Sequence, residues 1–81
     1  MDIKIKLDEK NTLNISITAR VNPDNYDYIA ALDNFLMRNY GDFKKLPPLK
    51  KSNEEVLVGF SRTDTMPDDY EIIKEAIERY V

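Results

Sequence analysis

The chain has 81 residues, a formal net charge of −3, and no cysteine or histidine. A domain of this size buries roughly 60–65% of the surface that its unfolded chain exposes, which is enough for one core. Without cysteine there are no disulfides, thiolate nucleophiles or zinc–sulfur sites. Without histidine the chain lacks the side chain most often used for acid–base catalysis near neutral pH. We therefore expect a single domain without catalytic residues or a cofactor.

The apolar stretches of the sequence are short. Residues 1–6 alternate charged and apolar side chains, where a signal peptide would have a continuous apolar core. Nowhere does an apolar run approach the length of a transmembrane helix. These features predict a cytoplasmic protein that has no membrane partner.

The first 21 residues have the period-two pattern of β-strands. Ile3, Ile5 and Leu7 alternate with lysines, and after a polar break at 8–11 the alternation resumes from Leu13 onward. Such strict alternation indicates two strands that each have one buried face and one solvated face. Residues 1–21 are thus predicted to form a β-hairpin with a short polar loop.

A helical pattern follows the hairpin. Apolar residues recur at helical spacing, with Asn22 and Pro23 before them and Gly41 after them. A polar cap, proline in the first turn and glycine just past the end are typical of helix boundaries. The pattern predicts a helix over 23–40 that ends at a left-handed Gly41.

The second half of the chain is less regular. Residues 42–55 contain Pro47 and Pro48 among lysines and are predicted to form a long loop. Alternation over 56–62 predicts a third strand. Thr65 then predicts the cap of a second helix over 67–81.

The predicted fold class is α+β with the order β-β-α-β-α. A three-stranded, mostly antiparallel sheet with two helices packed on one face would bury every apolar stripe in two layers. We favour the first strand at the centre of the sheet, which leaves the second strand at an edge. An edge strand has unpaired backbone groups, so this strand could support a homodimer. No internal repeat is visible.

Charge is distributed unevenly along the chain. Residues 23–41 hold one basic and three acidic groups, and residues 63–81 hold two and six. In contrast, residues 1–22 hold four basic and three acidic groups, and residues 42–62 hold five and three. Acidic residues in first turns interact well with the helix dipole, and exposed helix faces are normally charged. The same acidity could also dock on a basic surface of another protein.

These charges and the exposed tyrosines define the candidate binding residues. Tyrosine is favoured at protein interfaces, and acidic side chains select basic partners. The candidates for contact with a partner protein are Tyr26, Asp27, Tyr40, Asp64, Asp68, Asp69, Glu71, Glu75 and Glu78.

Two other kinds of site are less well supported by the sequence. Nucleic-acid binding would need clustered cations, and the candidates are Arg20, Lys44, Lys45, Lys50 and Lys51. The predicted sheet face offers no aromatic platform on which bases could stack, and the chain is acidic overall. The acidic groups lack the spacing of a calcium loop, so no metal site is predicted.

The sequence therefore predicts a non-enzymatic protein-binding module, such as a small inhibitor or adaptor. Its element order and acidity are loosely similar to those of phage-encoded inhibitors and small regulators, although no motif carries that likeness. A small nucleic-acid-binding regulator and a structural homodimer are the alternatives.

Overall fold

A computed structural model describes residues 1–80, which form four strands and two helices. In chain order these are β1 (Asp2–Leu7), β2 (Leu13–Arg20), α1 (Pro23–Asn39), β3 (Lys44–Lys50), β4 (Glu55–Arg62) and α2 (Pro67–Tyr80). The α+β class is confirmed, whereas the predicted number of strands is wrong by one. Val81, the last residue of the predicted second helix, lies outside the described residues.

All strand pairs in the described chain are antiparallel, and the sheet order is β1-β2-β4-β3. The prediction that the first strand is central is wrong. β2 pairs with β1 on one side and with β4 on the other. Flanked by both strands and covered by the helices, Leu13 and Ile17 on its apolar face are fully inaccessible to solvent. β2 therefore has no unpaired edge, so the predicted homodimer through its backbone has no free strand to use.

The segment 42–55 is not a loop, because seven of its residues form β3. Pro47 and Pro48 are tolerated because β3 is an edge strand, where a missing N–H need not leave a ladder bond unmade. The register with β4 shifts between Leu46 and Leu49, so the two prolines lie at the irregularity. Residues 51–54 make the turn into β4. The lysines and prolines suggested a loop because β3 contributes no buried side chain to the core.

The topology repeats, although the sequence shows no obvious repeat. Residues 2–39 and 44–80 each form a hairpin followed by a helix, and β2 lies beside β4 as a twofold axis would place them. Each helix begins with Pro-Asp-x-Tyr, at Pro23–Tyr26 and Pro67–Tyr70. We call these segments the first and second units.

Each helix packs over the other unit's hairpin. Asp33 of α1 forms an ion pair of 3.9 Å with Lys45 of β3. The Tyr70 hydroxyl of α2 lies 3.4 Å from the carbonyl oxygen of Ile5 in β1. Both helices thus complete one shared core on one face of the sheet. Its buried members are Leu13, Ile15, Ile17, Ala19, Ile29, Leu32, Leu36, Phe43, Val56, Val58, Phe60, Ile73 and Ile77.

The helix ends follow the sequence only in part. Asn22 caps α1 by accepting a hydrogen bond of 2.8 Å from the Asn25 backbone N–H, and Gly41 is left-handed with φ 62°. Both predictions are confirmed. Thr65 does not cap α2: its buried hydroxyl donates to the Arg62 carbonyl and accepts from the Arg62 guanidinium. The residue directly before α2 is Met66, whose side chain has no oxygen to offer a helix N-terminus.

Neither α1 nor α2 is both long enough and apolar enough to cross a membrane.

Candidate protein-binding surfaces

Four acidic residues form a continuous stripe along α2. Asp68, Glu71, Glu75 and Glu78 are spaced by three, four and three residues, so they share one side of the helix. This side lies opposite the buried Ile73 and Ile77, and all four carboxylates are exposed. The stripe spans eleven residues, and its first and last residues are about 15 Å apart along the axis at the rise of an α-helix. We call these four residues the acidic stripe.

The carboxylates of the acidic stripe have no ion-pair partner within residues 1–80. Lys74 with Glu78, and Glu75 with Arg79, have a spacing that allows ion pairs on a helix, but neither pair comes within 4.0 Å. Within residues 1–80 the ion pair that does form joins Lys45 to Asp33. Lys74 instead places its ammonium 5.9 Å from the centre of the Tyr70 ring. The negative potential of the acidic stripe is therefore available to a basic partner.

Asp69 and Tyr40 lie beside the acidic stripe, at the seam between the two helices. Both line a small cleft of about 210 Å³ together with Arg62 of β4. The Tyr40 ring is half-buried and packs edge-on against Phe35, with centroids 6.2 Å apart. Part of the Tyr40 ring is thus packed within the helix layer. Asp69 lines the cleft at this seam and is less closely associated with the acidic stripe.

Tyr26 and Asp27 are exposed on α1 but are not brought to the acidic stripe. Tyr26 lies seven residues before Asp33, on the side of α1 that faces β3. The residue is 46% exposed. The side of α1 that faces α2 instead carries Tyr28 and Phe35, whose rings lie 5.6 Å and 5.3 Å from that of Tyr80. The predicted set of partner-binding residues is therefore split between two surfaces.

The Tyr28 hydroxyl is enclosed by this aromatic cluster. The oxygen is buried, and the described residues supply no hydrogen-bond partner for it. Burial raises the pKa of Tyr28 above its ordinary value of 10.0, and the neighbouring Tyr80 raises it further. The contact serves to hold the two helices together.

Asp64 lies in a polar cleft at the end of the β3–β4 pair. The cleft has a volume of about 520 Å³ and is lined by Asp42, Phe43, Lys44, Arg62, Thr63 and Asp64. Asp42 and Asp64 are left-handed, with φ of 58° and 53°, which aspartate tolerates better than most residues. No three acidic side chains in residues 1–80 converge on a position where they could ligate a metal ion.

The predicted nucleic-acid contacts are separated by strand register. Lys44 pairs with Ser61 on the sheet face that the helices leave open, whereas Lys45 pairs with the buried Phe60 on the helix side. Lys50 pairs with Val56, again on the helix side. Lys51 lies in the turn that follows, and Arg20 lies on the open face beside Glu55. The five cations are exposed but do not form one cluster.

The sequence predicted an open face of the sheet, but not the rows of residues that run across it. Adjacent rows across the strands join Lys6 through Asn14 and Ser61 to Lys44, and Lys4 through Ser16 and Gly59 to Leu46. Leu46 packs over Gly59: a Cβ at Gly59 would lie 2.9 Å from Leu46 Cδ1, the end of an exposed side chain. Identifying these rows needs the strand order, which the sequence pattern predicted incorrectly.

An apolar cleft lies between β1 and α2. It has a volume of about 400 Å³ and is lined by Met1, Ile3, Ile5, Lys74, Ile77 and Glu78. The isoleucines of β1 remain half-exposed there, whereas those of β2 are buried. The sequence did not predict this cleft, because β1 and β2 have the same alternating pattern.

We compared the chain with protein-family models, with curated proteins and with solved structures, and none of these comparisons gave a match. A functional assignment must therefore be argued from the surfaces of the molecule.

Proposed function

We propose that this chain is a non-enzymatic protein-binding module of the cytoplasm that docks through the acidic stripe on a basic surface of another protein. The observation that carries the proposal is the row of four exposed carboxylates without ion-pair partners in the described chain. Charges arranged in this way accelerate encounter with a complementary surface and disfavour like-charged partners.

The position of the acidic stripe supports rigid presentation. Its residues lie on a helix that is fixed to the sheet by the fully buried Ile73 and Ile77, so little ordering is needed when a partner binds. Ile72, which is 57% exposed, lies next to the acidic stripe and offers an apolar contact. A small rigid element of this kind suits an inhibitor or adaptor such as those that phages and mobile elements encode.

Paired capture experiments test the proposal. Glu71→Lys with Glu75→Lys reverses the centre of the acidic stripe, and Glu9→Lys with Glu54→Lys makes the same change in net charge at exposed turns. Immobilised wild type and both variants are incubated with lysate of the encoding organism, treated with nuclease, and the recovered proteins are identified by mass spectrometry.

We expect a protein that is recovered by the wild type and by the turn variant but lost by the stripe variant. Its affinity, measured with purified components, should fall as salt increases, because exposed charge pairs are screened. Equal recovery by all three chains, or no recovery by the wild type, would contradict the proposal.

Nucleic-acid binding is the less supported alternative because strand register disperses the loop lysines. A fluorescent duplex and a single-stranded oligonucleotide at low salt provide its direct test. Tight binding that falls steeply with salt and is weakened by Lys44→Glu would favour this alternative over the acidic stripe.

A further inference from the structure

The outer edge of β1 carries backbone groups that no strand in residues 1–80 pairs with. The Asp8 N–H donates to the Thr12 carbonyl at 3.1 Å, so this pair is hydrogen-bonded. Hydrogen-bonded pairs alternate in an antiparallel ladder, which makes Lys6 and Lys4 the next residues bonded to β2. The N–H and C=O groups of the residues between them, Ile3, Ile5 and Leu7, therefore point away from the sheet.

The other edge of the sheet cannot be extended in this way. In β3, Pro47 and Pro48 supply no N–H, and the register shift beside them breaks the regular strand. β1 has no such interruption over its six residues. Its exposed edge also adjoins the apolar cleft, so a strand added there would gain apolar contacts as well as backbone hydrogen bonds.

We propose that the edge of β1 and the apolar cleft bind a second copy of this chain. The two β1 strands would pair antiparallel about a twofold axis at Lys4, which places Ile3 opposite Ile5 of the second copy. This inference does not rest on the function proposed for the acidic stripe, although Glu78 belongs to both surfaces. It replaces pairing through β2, which is enclosed by neighbours on both sides.

Charge favours this register over one with the axis at Ile5. With the axis at Lys4, Asp2 faces Lys6 of the second copy in two symmetric pairs, and the two Lys4 side chains form one like-charge contact. Moving the axis to Ile5 would set Lys4 against Lys6 and Asp2 against Asp8, so that every charged pair repels. Opposite charges across strands stabilise a pair, and like charges destabilise it.

Charges at the rim of the apolar cleft are also self-complementary. Lys74 and Glu78 lie four residues apart on α2, both at the rim. A twofold axis reverses one helix relative to the other, which brings the cation of one copy toward the anion of the second. Such self-complementarity is what an interface between identical surfaces requires.

Tyr70 weakens this association without blocking it. Its hydroxyl lies 3.4 Å from the Ile5 carbonyl oxygen, one of the acceptors that the second copy would use. Tyr26 has the equivalent position in the first unit but has no such hydrogen bond within the described residues, so it provides a matched control.

Sedimentation equilibrium over micromolar to millimolar concentrations tests the proposal. The mass should rise from 9.5 kDa to twice that value. Asp2→Lys and Lys6→Glu should each weaken the dimer roughly tenfold at low salt, and the double variant should restore it. Tyr70→Phe should tighten the dimer about fivefold by releasing the Ile5 acceptor, whereas Tyr26→Phe should have no effect.

Hydrogen exchange gives a residue-level measurement on the wild-type chain. Increasing concentration should slow exchange of the Ile3 and Ile5 amides, which point outward, but leave the Lys50 amide of β3 unchanged. A monomeric mass at millimolar concentration would overturn the proposal. So would a dimer that the charge reversals leave unaltered, or one that protects β3 instead of β1.

Discussion

The two hairpin–helix units share a topology but contribute unequally to the core. In the first unit both strands face the helices with apolar residues: β2 is buried, and β1 supplies the half-buried Ile3, Ile5 and Leu7. In the second unit the buried strand residues belong to β4, because every residue of β3 is exposed. The difference teaches that a repeated topology does not require repeated burial. One edge strand is held by side chains, and the other mainly by its backbone pairing with β4.

Phe43 is expected to anchor the second unit more strongly than the residues of β3 do. It directly precedes β3 and is only 5% exposed, whereas Leu49 within β3 is 61% exposed. Phe43→Ala should lower the free energy of unfolding by about 3–5 kcal/mol through lost burial and a residual cavity. Leu49→Ala should change it by less than about 0.5 kcal/mol. Urea titrations measure both, and equal losses would show that β3 itself is anchored by its side chains.

The starts of the two helices form a second comparison. α1 has the Asn22 side-chain cap, and α2 has Met66 in the corresponding place before its proline. Asn22→Ala should lower stability by about 1 kcal/mol, and Met66→Ser should raise it by about 0.5–1 kcal/mol. Thermal unfolding followed by circular dichroism measures both. A destabilising Met66→Ser variant would mean that the exposed methionine makes contacts worth more than a cap.

Tyr28 gives the smallest effect, at the seam where the two units' helices meet. Its pKa is raised in the folded state by burial and by Tyr80, so the folded chain holds the phenol proton more tightly than the unfolded chain does. The stabilisation of the fold that comes from holding this proton is therefore fully present below pH 10 and is lost as pH rises through the folded-state pKa of Tyr28.

Tyr28→Phe should accordingly have nearly the stability of the wild type at pH 7, since the buried hydroxyl has no partner in the described residues. As pH rises above about 10, the variant should lose less stability than the wild type. Spectrophotometric titration of the five tyrosines should lose its latest-titrating component in the variant. An unchanged titration curve would assign that component to another tyrosine.

Local patterns predicted much of the fold. The alternation around Ile15 and Ile17 identified β2, and Asn22 with Gly41 bounded the first helix to within a residue. The hairpin loop was expected without its turn type, which Asn11 supplies by adopting a left-handed φ of 61°. β3 was missed because Lys44–Lys50 shows neither period and contains two prolines. Such a segment becomes a strand only because β4 provides backbone partners.

The candidate surfaces show the same limit. Helical spacing was sufficient to expect the acidic residues of α2 on an exposed surface, because 3.6 residues per turn is a local property of the chain. It could not show that Lys44 and Lys45 face opposite sides of the sheet, or that Tyr26 lies away from the acidic stripe. Those placements depend on register and on which helix packs over which hairpin.

By itself, the sequence determined the α+β composition, the hairpin, the two helices and the acidity of the helix layer, because each arises from residues close together in the chain. Only the tertiary structure decided that β2 is internal, that β1 has a usable edge beside an apolar cleft, and that β3 exists at all. Strand order is set by which apolar faces gain most from being enclosed on both sides. That comparison between distant segments is made only when the whole core is assembled.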